Sequence, residues 1–144
     1  MEQTIVIADD DVPATKISAI QGAGLTSGRT GEVVTIEAIV VGDFQGSTRL
    51  GGFFVQEEDA DADGDALTSE GLFIFQGATG TDVQVGDKVR VTGTVVEFGN
   101  GYSSLTELSS VTSVVVVDSG QALPDATVLT FPLATAASRA SVRR

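Results

Sequence analysis

An all-β fold is predicted by three features of this sequence. Short apolar runs are separated by glycine clusters, apolar and polar residues alternate within those runs, and no eleven-residue stretch carries a helical apolar stripe. The 144 residues suffice for one domain with one core, and 42% hydrophobic residues is a globular composition.

Taken in order, residues 1–15 are expected to form a flexible N-terminal segment, with Asp9, Asp10 and Asp11 ahead of Pro13. The first long strand is expected over Glu32–Val41, where Val34, Ile36, Ala38 and Val40 share one face and Thr35 and Glu37 the other. A loop over Gly42–Gly51 follows, carrying Phe44 and Arg49, and then strands over Gly52–Glu57 and Gly71–Gln76. The connector through Val83–Asp87 has room for one helical turn at most. In the fourth strand, Lys88–Phe98, Val89, Val91, Gly93 and Val95 alternate with Arg90, Thr92 and Thr94, and the adjacent Val95 and Val96 point to a bulge. Gly99-Asn100-Gly101 is a tight-turn signal leading into a fifth strand over Tyr102–Leu108, extended by Val111–Asp118. Pro124 and Pro132 bracket a last extended piece, and residues 134–144 read as a tail or linker stub. Five strands with a short connector between the third and fourth fit a five-stranded Greek-key OB-fold barrel with extra terminal strand segments over residues 16–133. The pattern alone also permits a small sandwich. Gly93, in the middle of a long strand that must bend sharply, favours the barrel.

Composition narrows the chemistry. The chain has no Cys and no His, so thiolate nucleophiles, zinc–sulfur sites, disulfides and a Ser-His-Asp arrangement are excluded. A non-enzymatic role is therefore expected. The formal net charge is −12, which opposes non-specific attraction to phosphates. That charge is concentrated: seven acids lie between Glu57 and Glu70 with no Lys or Arg among them. No apolar run is long enough to span a membrane, and Met1-Glu2-Gln3 does not begin a signal peptide, so a leader on an exported parent is expected to have been removed.

Several runs carry a resemblance. They are Lys16-Ile17-Ser18-Ala19-Ile20-Gln21-Gly22, Gly51-Gly52-Phe53-Phe54-Val55-Gln56-Glu57 and Thr68-Ser69-Glu70-Gly71-Leu72-Phe73-Ile74-Phe75. Val85 to Val95, Leu105-Thr106 and Leu123-Pro124-Asp125-Ala126-Thr127 continue the series. Taken together, over about Lys16 to Leu133, they resemble the OB-like domain of bacterial extracellular nucleases. The resemblance implies an extracellular, secreted, non-catalytic module that precedes an endonuclease/exonuclease/phosphatase-type catalytic domain. Such catalytic domains use His, which this chain lacks.

Between the second and third strands, Asp59, Asp61, Asp63, Gly64, Asp65 and Glu70 match the twelve-residue calcium-loop spacing at positions one, three, five, six, seven and twelve. Carboxylates this dense repel one another unless neutralised, so Ca2+ is expected there. Leu67 stands at position nine, where a polar group is usual, and strands rather than helices flank the loop. The other reading is a solvated acidic loop that blunts a hairpin.

OB folds bind across strands two and three and the loops beside them, where single strands are held by stacking and a basic groove. The residues at those places are Phe44, Arg49, Phe54, Phe73, Phe75 and Tyr102, with Arg90 opposite the core valines of strand four. Adjacent Phe53 and Phe54 face opposite sides, so core packing takes part of this set. The expected function is binding of single-stranded DNA or RNA, as a monomer, beside the parent chain's nuclease domain. A calcium-stabilised structural or protein-docking module is the alternative. Oligosaccharide binding is a third reading, weakened by the lack of Trp.

Overall fold

The computed structural model describes residues 12–100 and 103–128. They contain a short helix α1 (Ile17–Gln21) and the strands β1 (Val33–Phe44), β2 (Gly52–Gln56), β3 (Gly71–Phe75), β4 (Lys88–Phe98) and β5 (Leu105–Asp118), with a 3-10 turn at Asp59–Asp61. One five-stranded mixed sheet runs in the order β1-β2-β3-β5-β4, and β4 pairs back onto β1 to close it into a barrel. The pairs are antiparallel except β3 with β5.

Alternation builds the interior. Val34, Ile36, Ala38 and Val40 of β1, Phe53 and Val55 of β2, Leu72 and Ile74 of β3, Val89, Val91 and Val95 of β4 and Leu108 of β5 form one buried cluster. Each fully buried Ile or Phe contributes roughly 2 kcal/mol of transfer free energy. Two more isoleucines come from α1, whose Ile17 and Ile20 are fully buried in the same cluster. This helix is five residues long, too short to show a 3.6-residue stripe, and the sequence reading had no helix there. Its first turn lacks a side-chain cap of its own. Glu57, just past β2, supplies one instead: its Oε1 accepts from the Ile17 N–H at 2.7 Å. Gln21 Nε2 ties the other end to the Gly71 carbonyl at 2.7 Å.

The expected boundaries change in four places. β1 does not end at Val41: a register shift between Val40 and Gly42 lets it continue, with Gly42, Asp43 and Phe44 opposite Phe54, Phe53 and Gly52. Phe44 is thus a strand residue rather than a loop residue. No bulge stands at Val95-Val96, which pair in continuous register with Leu108 and Glu107. The irregularity lies opposite Gly93, where β4 steps from Thr92↔Ser113 to Thr94↔Ser109 and β5 loops out through Ser110, at φ 47°. Leu105–Asp118 is accordingly one bent strand, and the turn into it is closed by Ser103 N–H donating to the Asn100 carbonyl at 3.2 Å. No strand follows β5 among the described residues, and Pro124 lies in irregular chain. Tyr102, Pro132, residues 1–11 and the 134–144 tail lie outside the described residues.

Of the described glycines, Gly52 has the least room for a side chain. A Cβ there would stand 2.0 Å from the Ile74 carbonyl oxygen and 2.8 Å from Cζ of Phe73. Only a residue without a side chain lets β2 and β3 pair. Gly52→Ala is therefore expected to destabilise the fold by about 3 kcal/mol or more, measured as a drop in the urea midpoint. An unchanged midpoint would show that the β2–β3 pairing has slack.

Burial raises the Glu57 carboxyl to about 7, against the opposing effects of the Ile17 N–H and Lys16. A folded-state value above the unfolded one means that the native state binds the extra proton, so stability falls as pH rises from about 4.5 to about 7. The expected loss is roughly 3 kcal/mol across that window. Glu57→Gln is expected to flatten it, read by denaturant midpoints at pH 5 and pH 7.5; an equal slope in both proteins would assign the titration elsewhere.

Candidate functional site

On β2 and β3 the residues that alternate with the core face outward, and the register sets Phe54 directly opposite Phe73. Their ring centroids lie 4.8 Å apart at 47°. The β1 extension brings Phe44 edge-on to Phe54, with centroids 5.8 Å apart and planes at 88°. Two hollows flank this Phe54–Phe73 pair and share both rings together with Leu105. The larger, of ≈ 520 Å³, is bordered by Arg49, Leu50, Phe75, Val96, Phe98 and Glu107. The smaller, of ≈ 270 Å³, is bordered by Gln21, Phe44 and Gln56.

Five of the seven residues expected at a binding face are brought together here: Phe44, Arg49, Phe54, Phe73 and Phe75. Their availability differs. Phe44 and Phe75 are about two-fifths exposed, whereas Phe73 is buried and forms the floor. Arg90 is not part of the face. It sits on the β1–β4 side, paired with Glu37 at 3.4 Å and donating to the Val12 carbonyl. "Opposite the core valines" describes the whole outside of a barrel, and register alone decides which part. Tyr102 lies outside the described residues.

Sequence reasoning missed Phe98, Leu50 and Glu107. Phe98 is the most exposed ring among the described residues, at 66%, and its outward direction follows from counting three residues on from the inward Val95. Leu50, half exposed, neighbours the already suspected Arg49. Glu107 had a weaker signal, a lone acid one residue before an inward leucine.

The basic side chains divide clearly. Lys16 pairs with Asp61, Arg29 with Glu32, Lys88 with Glu37 and Glu58, and Arg90 with Glu37. Arg49, on the rim of the larger hollow, has no ion-pair partner among the described residues.

The acidic loop was expected to gather its carboxylates around a cation, and its geometry is different. Asp59 accepts from the Asp125 N–H at 3.0 Å, and Asp61 pairs with Lys16 Nζ at 2.9 Å. Asp63 accepts from the Asp65 N–H and from the Thr68 hydroxyl, both at 2.8 Å. Asp65 accepts from the Leu67 N–H, and Glu70 Oε1 from the Asp63 N–H, both at 2.9 Å. Among the described residues no group of three or more His, Cys, Asp or Glu is placed to hold a metal ion. Repulsion between the acids is relieved by nearby N–H and O–H donors, as in Asx turns. Partial burial pushes Asp63 up, but its hydrogen bonds, with the Asp65 N–H and the Thr68 and Ser18 hydroxyls among them, outweigh this and hold it below its ordinary value.

No helix among the described residues is long and apolar enough to cross a membrane. No family model matches the chain, and neither a curated protein nor a solved structure does.

Asp63→Ala removes the acceptor for two donors, so it is expected to cost about 2 kcal/mol in the presence of chelator, read by denaturant unfolding. A loss that appears only when calcium is added would favour the cation reading of this loop.

Proposed function

We propose that this chain is a non-catalytic OB-type module that holds single-stranded nucleic acid across the outer face of β2, β3 and β5. The observation that carries this reading is Arg49, a guanidinium without an ion-pair partner among the described residues, at the rim of a hollow lined by aromatic rings. Stacking is contributed by Phe75 and Phe98, with Phe54 between the two hollows and Phe44 beyond it, and it tolerates any base because every base has a π-face. Arg49 supplies the phosphate contact.

The barrel order β1-β2-β3-β5-β4 and the position of the groove are those expected of a Greek-key OB fold, which supports the same reading. So does the resemblance to the OB-like domain of bacterial extracellular nucleases, in which such a module would present substrate to a neighbouring metal-dependent catalytic domain outside the cell. With neither His nor Cys, and with the loop carboxylates engaged by protein donors, the module itself performs no hydrolysis in this proposal. The exposed Leu50 and Phe98 also suit a second reading, docking of the parent chain's catalytic domain on the same face.

The test is a titration of the 15N-labelled domain with a mixed-sequence single-stranded DNA dodecamer at low salt. Shifts are expected at Arg49, Leu50, Phe75 and Phe98. Phe75→Ala is expected to weaken binding by about 1–3 kcal/mol, and Arg49→Ala to lower the salt slope by about 0.7. An unmoved groove at millimolar oligonucleotide would overturn the proposal and leave the docking reading.

A further inference from the structure

Resting on that reading, the structure assigns Glu107 a further role: we propose that its carboxylate selects guanine, by accepting the N1–H and N2–H of a base lying against Phe75 and Phe98. Glu107 stands on β5 beside the groove floor, opposite Phe73 of β3 and Val96 of β4. It lines the larger hollow and is only 6% exposed. Among the described residues no N–H or O–H donates to its carboxylate and no cation pairs with it, Arg49 on the same rim included. Burial alone raises its carboxyl above the ordinary value.

The Glu107 oxygens open onto the hollow rather than being fully enclosed, so the little water that reaches them there is what hydrates the charge. Glu57 is buried too, but it receives the Ile17 N–H and thereby starts a helix. Glu107 has no such structural task. What its two oxygens lack is a pair of parallel N–H donors, delivered by something flat enough to lie among phenylalanine rings.

Among the four bases only guanine offers two adjacent donors on its Watson–Crick edge. Cytosine and adenine set a ring-nitrogen acceptor beside a single amino group, and that acceptor faces the second carboxylate oxygen. Thymine and uracil offer one N–H between two carbonyls, which is worse. A lysine or arginine from a protein partner would also satisfy a carboxylate, but Arg49 on the same hollow repels a cation and suits the phosphate of a nucleotide.

The experiment measures affinity of the intact chain for fluorescent dT decamers carrying one central dG, dI, dC, dA or dT. A single dG excludes quadruplex formation. The dG host is expected to bind about tenfold or more tightly than the all-dT host, and inosine, which lacks the N2 amino group, to lose most of that gain. Glu107→Gln, whose melting temperature at neutral pH is expected to rise because a buried charge is removed, should reduce the dG preference to under about twofold. Equal affinity for dG and dT, with groove resonances still shifting, overturns the guanine role and leaves the nucleic-acid reading standing. A dG preference that survives in Glu107→Gln, or that inosine retains, also overturns it. If no decamer binds and a lysine-rich decapeptide shifts the groove instead, both readings fall and a cationic partner takes their place.

Discussion

The candidate groove on this barrel depends on how closely β2 and β3 approach at Gly52. The Ile74 carbonyl and the Phe73 ring occupy the space that any side chain there would need. Because the two strands meet in this register, Phe54 faces Phe73 across the ladder, and Phe53, Val55, Leu72 and Ile74 all turn inward. Two five-residue strands thereby make part of the core with one set of side chains and the groove with the other. A one-residue slip would exchange the sets, exposing Phe53 and the aliphatic residues and burying Phe54, Phe73 and Phe75. The constraint therefore specifies the fold and the candidate site together.

The same hairpin separates charge. β2 begins at Gly52, beside Arg49, and ends at Gln56, where the acidic loop starts. Four strand steps put those ends about 14 Å apart. That exceeds the Debye length of about 8 Å at physiological ionic strength, so the loop's carboxylates act weakly on a phosphate at the Arg49 end. Much of the loop's charge is also engaged locally, by Lys16 and by the N–H groups of Asp63, Asp65, Leu67 and Asp125. A net charge of −12 thus describes the molecule without describing its groove.

Period-two alternation made much of the fold legible. It placed β4 at Lys88–Phe98, as the structure has it, and β2 and β3 to within a residue. It failed where the period itself is broken. The shift after Val40 hid the continuation of β1 to Phe44, and the loop-out at Ser110 interrupts the alternation of the one bent strand β5. At the site, alternation says "outward" without saying toward which neighbour. That is why Arg90, on the β1–β4 side beside Glu37, was grouped with the phenylalanines, and Phe98 was not. Spacing in the acidic loop is ambiguous for a related reason. Carboxylates at alternate positions can converge on an ion, or each can accept the N–H two residues on, and the shorter reach of the second arrangement leaves no trace in the residue order.

Two of the buried carboxylates, Glu57 and Glu107, show how a stability argument becomes a functional one. Neither belongs in an apolar interior on transfer free energy alone, and burial raises both above the ordinary value. The structure accounts for Glu57: it begins α1, and α1 carries Ile17 and Ile20 into the core. Replacing it with an apolar residue would leave the Ile17 N–H without its acceptor. No such account exists within the barrel for Glu107, since Thr106 and Leu108 on either side already face inward and its own carboxylate receives nothing from the described residues. Where consistent local choices build the rest of a fold, the one that works against stability marks the place where another requirement is being met. Here that place is the wall of the aromatic groove, beside Arg49 and the exposed rings of Phe75 and Phe98. In the proposed complex, an acceptor without a protein donor, set among π-faces with a cation at the rim, meets the donors, the ring and the phosphate of a guanine nucleotide in turn.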